Sequence, residues 1–437
     1  MSGTGIHKGA HKQYAATPPM GWNSWDCYGA SVTEEEVLGN ARYMAEHLKP
    51  YGWEYVVVDI QWYEPGAHSS SYRPFVPLEM DGYSRLVPAA NRFPSAAGGK
   101  GFKPLADVIH GMGLRFGIHI MRGIPRQAVH ANTPILGTER RAREIAANNI
   151  CPWNSDMYGV NPDAEGAQAY YDSLFRLYAD WEVDFVKVDD IAASRLYHIH
   201  HREIEMLRTA IDRCGWPMVL SLSPGAAPLE YGGLLAGNAN MWRMTDDFWD
   251  VWPLLKDMFG RCEQWYPFVG NGSWPDCDML PLGHIGLRSV DGGASDRQTR
   301  FTPDEQQTMM TLWSLFRSPL MFGGELRNND AWTLSLLTNE EVLAVHRDGR
   351  NARPLYRRQE RTVWTSAAPD GGVYVALFNL GDATAEVGAE LAELGLAPGS
   401  REARDLWARR SLGRVEDELR FTLPPHGSKL VKLEPES

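Results

Sequence analysis

The chain has 437 residues, of which 43% are hydrophobic and 22% charged, enough for a large core and a second domain. Its formal net charge of -12, with no basic stripe, argues against a nucleic-acid backbone as partner. No apolar run reaches the ~20 residues that a membrane-spanning helix needs, so no membrane partner is expected.

Residues 1–17 are polar and rich in Gly, His and Lys. They lack an apolar h-region, so no secretory signal is read and a cytoplasmic location is expected unless a leader was trimmed. Cys27, Cys151, Cys214, Cys262 and Cys277 are odd in number, scattered and without a CxxC pair. That pattern speaks against a zinc knuckle and fits a reduced compartment. Strand-like and helix-like segments then alternate. Thr33 with Glu36 opens a helix carrying Val37, Leu38, Ala41, Met44 and Leu48 at helical spacing. Glu54 to Asp59 predicts a strand buried on both faces, through the β-branched run Val56-Val57-Val58. A helix from about Lys103 ends at Gly111 or Gly113, before a strand over Leu114 to His119. Ala167 to Trp181 reads as an amphipathic helix, and Val183 to Asp189, Pro217 to Ser221, Asn240 to Arg243 and Pro319 to Phe322 read as strands. Thr302-Pro303-Asp304-Glu305 is a strong helix start.

Repeated strand–helix units demand a parallel sheet, and about eight fit before residue 345. The expected fold is a closed (β/α)8 TIM barrel over residues 18–348. No GxGxxG follows the first strand, so a Rossmann sheet has no support. After about Asn351, runs such as Val363 to Ser366, Gly372 to Phe378 and Leu419 to Leu423 alternate with Gly-, Asp- and Pro-rich turns. Residues 349–437 are therefore expected to form an antiparallel β-sandwich domain.

In such a barrel, function is built at the C-terminal ends of the strands. The polar residues that end the strand candidates are Asp59, His119, Lys187, Asp189, Ser221, Ser223, Arg243, Asp247, Asp276 and Asp278. Taken singly, each reads as a turn or helix-cap residue; together they converge. Two carboxylates from different strands, Asp189 and Asp247, suit retaining glycoside hydrolysis, which needs a nucleophile and an acid/base roughly 5–5.5 Å apart. Lys187 or Arg243 nearby would keep the nucleophile ionised, and Asp246 beside Asp247 would oppose a second charge on the acid. Asp246 stays a rival for the acid/base. Asp190 is a weaker rival for the nucleophile, because period-two alternation turns it from the lumen. Sixteen Trp and seventeen Tyr could cover the C–H faces of a pyranose, although core filling explains most of them.

These residues carry a resemblance. Met20-Gly21-Trp22-Asn23-Ser24-Trp25, Lys187-Val188-Asp189, Arg243-Met244-Thr245-Asp246-Asp247, Asp276-Cys277-Asp278-Met279-Leu280, Ser318-Pro319-Leu320-Met321 and Leu337 to Leu343 occur in order. With Leu423-Pro424-Pro425-His426-Gly427 at the end, they resemble glycoside hydrolase family 27, the α-galactosidase and α-N-acetylgalactosaminidase family. The resemblance implies a barrel with a β-sandwich tail, retention of configuration, no metal and no cofactor. It makes Asp189 the nucleophile and Asp247 the acid/base, with Trp25, Asp59, Lys187, Arg243 and Asp278 around the sugar. His119 stands where the family usually has Tyr.

Two departures bear on the sugar. Family α-galactosidases carry two adjacent carboxylates after the second strand; here Asp59 is followed by Ile60. A hydroxyl buried against isoleucine would lose roughly 1–3 kcal/mol, which fits a pyranose lacking the hydroxymethyl arm, such as β-L-arabinopyranose. Gln61 or a barrel loop could instead take over that contact. Around Ser223 and Ala226 the residues are small, resembling the N-acetylgalactosaminidase pattern, or serving only a Pro-Gly turn. Ile191 replaces a family cysteine, so the corresponding disulfide is not expected. His119, Arg122 and Arg126 would either bind an acidic or extended aglycone or anchor a loop through Arg–carboxylate pairs.

The expected activity is exo-hydrolysis of a terminal α-D-galactopyranosyl or related galacto-configured sugar, from a small-molecule or oligosaccharide substrate. A carbohydrate-binding protein without catalysis is the alternative from another class. Metal-assisted hydrolysis would need a histidine cluster, and His198, His200 and His201 are expected on a helix away from the strand ends. Assembly into a homo-oligomer is allowed for.

Overall fold

Eight short strands frame the N-terminal three-quarters of the chain. They are β1 (Met20–Asn23), β2 (Tyr55–Val58), β3 (Arg115–Met121), β4 (Phe185–Asp189), β5 (Val219–Leu222), β6 (Met241–Arg243), β7 (Trp274–Asp276) and β8 (Leu320–Phe322). The structure, a computed structural model, describes residues 9–69, 71–290, 295–397 and 399–435. All eight strands pair in parallel, in chain order from β1 to β7, with β8 on the other side of β1. Just past β7, Leu280 bridges Phe322 of β8 in parallel, and this contact closes the (β/α)8 barrel.

Alternation decides which side chains face the lumen. Tyr55 and Val57, Phe185, Val219, Met241, Trp274 and Met321 pack on one another inside the barrel, while Val56, Val58, Val186 and Val188 join the layer under the helices. The same parity carries Asp59, Lys187, Asp189 and Arg243 inward at the strand ends. β1 was not among the predicted strands, since Gly and Asn have little strand propensity. Gly21 is needed there because a Cβ would lie 2.3 Å from the Tyr55 carbonyl oxygen.

The helices start where the cap residues predict. Thr33 and Glu36 form a capping box on α1 (Glu34–Tyr43), and Thr302 accepts from the Glu305 N–H at the start of Pro303–Phe316. The helix His201–Cys214 begins later than expected, leaving His198 and His200 in the loop after β4, where the Ser194 N–H donates to the His198 carbonyl at 2.7 Å. Of the opening stretch, residues 1–8 lie outside the described residues. Residues from Ala10 to Ala15 pack on the barrel, where the Ala15 carbonyl accepts from Trp274 Nε1 at 2.8 Å.

From Arg350 onward the strands are antiparallel. A six-stranded sheet contains Arg350–Arg358, Arg361–Ala367, Val373–Asn379, Ser428–Leu433, Arg401–Asp405 and Arg410–Val415, in that spatial order, and Ala385–Glu390 pairs with Glu418–Leu423. Alternation again splits each of three strands between two cores. Trp364, Ala376, Phe378 and Leu430 join the barrel core, while Val363, Val375, Leu377 and Val431 pack inside the C-terminal domain. Several of these strands escaped prediction; Arg401–Asp405, for one, carries charge at four of its five positions and shows no apolar run.

Candidate active site

The strand ends surround a cavity of about 330 Å³. Trp25, Asp59, Ile60, Lys187, Asp189, Ser223, Arg243, Asp247 and Asp278 all line it. His119, expected at the sugar, does not. It is fully buried behind Asp189, and its Nε2 lies 3.0 Å from Asp189 Oδ2. His119 lies two residues before the end of β3, level with Lys187 and one step below Asp189, and its ring reaches the carboxylate from beneath.

On one wall, each carboxylate has a dedicated partner. Asp189 Oδ1 accepts the Asp190 N–H at 2.8 Å. Lys187, two residues earlier on the same face, donates from Nζ to Asp59 Oδ2 at 3.0 Å. Asn23 Nδ2 donates to that oxygen at 2.8 Å, and the Ile60 N–H donates to Asp59 Oδ1 at 2.9 Å. Burial by itself would raise both carboxyls. For Asp189, the hydrogen bond and charge of His119, then Lys187, outweigh burial and hold it below the usual carboxylate range. For Asp59, Lys187 followed by His119 does the same. Burial opposes the Lys187 charge, but Asp59 and Asp189 hold the ammonium above its ordinary value.

Across the cavity, charge is arranged differently. Arg243 Nη2 lies 2.7 Å from Asp278 Oδ2 and 3.2 Å from Asp247 Oδ1, so one guanidinium serves two carboxylates. Asp278 Oδ2 also accepts the Phe248 N–H at 2.7 Å. Burial, joined by repulsion from Asp247 and Asp276, outweighs Arg243 and pushes the Asp278 carboxyl up to about 7. Asp247 is the exposed member, with 57% of its side chain accessible. Asp246 lines the cavity too but has no partner on Arg243.

Behind the first wall, Arg122 takes the second of the two roles weighed for its segment, loop anchoring through carboxylates. It is buried, bonded to Asp190 Oδ2 at 2.7 Å and Glu203 Oε1 at 3.2 Å, and its N–H donates to the Asp189 carbonyl at 3.0 Å. Arg126 lies over the Tyr158 ring and donates to the Ser155 carbonyl at 2.6 Å. Both arginines anchor loops. Asp190, locked to Arg122, is absent from the cavity lining. Near Ser223, a Cβ on Gly225 would fall 1.9 Å from the Thr245 carbonyl oxygen. The glycine is therefore required by the close approach of the Thr245 backbone.

Sequence reasoning missed several lining residues. Tyr72 stacks on Trp25, with ring centroids 6.4 Å apart, and Trp153 lies against Tyr72 at 5.6 Å. Both come from long irregular loops with no periodicity to mark them. Asp26, Arg195, Phe248, Trp249 and Met279 also border the cavity. Asp26, Phe248 and Met279 each directly follow a residue that the motifs singled out, which is the one signal that could have found them.

A closed barrel that delivers paired acidic side chains and an aromatic wall to one sugar-sized cavity defines the class: the protein is a glycoside hydrolase. The comparisons agree. Residues 160–348 match the family described as alpha galactosidase A, and residues 358–433 match the alpha galactosidase C-terminal beta sandwich domain. A GH27 β-L-arabinopyranosidase from Geobacillus stearothermophilus is 70% identical, with a TM-score of 0.96 over 97% of this chain and 98% of that one. A Bacillus halodurans C-125 protein assigned as an α-N-acetylgalactosaminidase is 59% identical, with a TM-score of 0.88 over 96% of this chain and 97% of that one. The α-galactosidase of Cyamopsis tetragonoloba is 27% identical over 426 residues, spanning 96% of this chain and 87% of the relative. The chain belongs to glycoside hydrolase family 27.

Proposed function

We propose that this enzyme releases terminal β-L-arabinopyranosyl residues in preference to α-D-galactopyranosyl ones. The observation that carries this reading is Ile60, 1% exposed and lining the cavity directly beside Asp59. β-L-Arabinopyranose has the ring and hydroxyl pattern of α-galactose without the hydroxymethyl arm. An O6 hydroxyl buried against Ile60 would find no acceptor there and lose roughly 1–3 kcal/mol. The 70% identity to a β-L-arabinopyranosidase supports the same sugar.

In this reading Asp189, kept ionised by His119 and Lys187, attacks the anomeric carbon, and Asp247 protonates the leaving oxygen. The covalent glycosyl–enzyme then reacts with a water from which Asp247 takes the proton, and the configuration is retained. Asp59 and Lys187 hold sugar hydroxyls, Trp25 covers a C–H face, and Arg243 with Asp278 sets the charge beside Asp247. Action in a reducing, cytoplasmic setting is part of the reading, and the five free, buried cysteines fit it.

Side-by-side hydrolysis of aryl β-L-arabinopyranoside, aryl α-D-galactoside and aryl α-N-acetylgalactosaminide tests the preference. The arabinopyranoside is expected to be fastest. Ile60→Asp should shift the kcat/KM ratio toward the galactoside by about tenfold or more. A wild-type enzyme that prefers galactoside, or an Ile60→Asp variant with an unchanged ratio, overturns the assignment. Fastest turnover of the acetamido substrate would instead favour the reading based on small Ser223 and its 59% identical relative.

A further inference from the structure

Asp26 is a buried acidic group in the cavity that the mechanism leaves unused. It follows Trp25 in the short turn Trp25–Tyr28, is 4% exposed, and lines the cavity. Its Oδ2 is enclosed without a hydrogen-bond partner. That oxygen is lodged against the α-carbon of Gly323, just past β8, where an added Cβ would lie 1.9 Å away. The barrel has thus made room for a carboxyl at a place where it supplies no partner for it.

A buried carboxylate with an unpartnered oxygen is costly, and the cost is avoided when the group keeps its proton. The charges around it reinforce this. Asp278, Asp247 and Asp59 oppose ionisation, and Lys187 is the cation that favours it. Kept neutral, the group has one O–H to donate. Oδ2, enclosed against Gly323, keeps only its lone pairs, so the O–H sits on Oδ1, the side-chain oxygen left to the cavity that Asp26 lines. We propose that Asp26 is a sugar-binding residue, a neutral carboxylic acid that donates a hydrogen bond to one hydroxyl of the pyranose bound in this cavity. The inference rests on the sugar site described above and adds a specificity contact to it.

The test uses aryl β-L-arabinopyranoside and its 2-, 3- and 4-deoxy analogues with wild type, Asp26→Ala and Asp26→Asn. Asp26→Ala is expected to raise KM about tenfold or more while kcat falls less than about threefold. Asp26→Asn, which keeps an N–H donor, should recover most of that loss. One deoxy substrate, lacking the partner hydroxyl, should bind Asp26→Ala and wild type equally well. Thermal melting checks that both variants fold, and Gly323→Ala, which crowds the carboxyl without removing it, should raise KM in the same direction. If the Asp26→Ala penalty is the same for the parent and every deoxy substrate, the role is structural and the inference falls. It also falls if KM stays within about twofold of wild type. Wild type inactive on both arabinopyranoside and galactoside would instead overturn the proposed function.

Discussion

On the wall built from β2 and β4, Asp59 and Asp189 each have a close positive or donating partner, Lys187 and His119. On the facing wall, built from β6 and the segment after β7, Asp247 and Asp278 share the single guanidinium of Arg243. The ratio of cations to carboxylates differs, and with it the fate of a proton. The first wall holds its acids ionised, as a nucleophile requires. The second pushes the Asp278 carboxyl up to about 7, so a proton is held beside Asp247, the acid of the proposed mechanism. The same residue type serves both purposes because burial penalises charge on both walls and only the partners decide whether that penalty is overcome.

The sharpest way to break this contrast is at the nucleophile. Asp189→Asn should lower kcat for aryl arabinopyranoside by about 10⁴-fold or more with folding intact, and residual turnover near wild type would remove Asp189 from the chemistry. Asp247→Ala should cost about 10²–10⁴-fold on substrates with poor leaving groups and much less on activated aryl glycosides. Equal losses on both would show that its proton is not what the reaction uses.

A smaller, pH-linked effect comes from Asp278. Its carboxyl stands at 3.8 ordinarily and at about 7 here, so between these values the folded state binds the extra proton. Stability from this group is therefore complete at low pH and declines as pH rises through that window, with a limiting slope of about 1.4 kcal/mol per pH unit. Asp278→Asn should flatten this part of the melting-temperature profile between pH 4 and 8. A variant profile parallel to wild type would mean that the second wall does not store a proton there. Least affected should be Arg195→Ala. Arg195 is an exposed cation at the rim, in the loop after β4, and its loss should change kcat/KM for a small aryl glycoside by less than about threefold. A larger loss would extend the first wall outward to the aglycone.

Much of this was legible in the chain. The run Phe185 to Asp189 announces a buried strand, and its alternation sends Lys187 and Asp189 to one side and Asp190 to the other. Ile60 after Asp59 already carried the proposal of a sugar without the hydroxymethyl arm. What could not be read was who meets whom. His119 was placed at the sugar but lies behind the nucleophile, and Arg122 was weighed as a ligand for an aglycone but is consumed by Asp190 and Glu203. Tyr72 and Trp153 belong to loops without a repeating pattern, so nothing local marks their place on the cavity wall.

By itself, the order of residues determined most of the barrel strands, their inward and outward faces and most of the acids at the barrel mouth, because period-two alternation and apolar runs are local properties. Only the closed barrel decided that Arg243 is shared, that Asp26 rests against Gly323, and hence which acids keep their protons. Protonation depends on desolvation and on charges brought near from other strands, and those distances exist only once the sheet has closed.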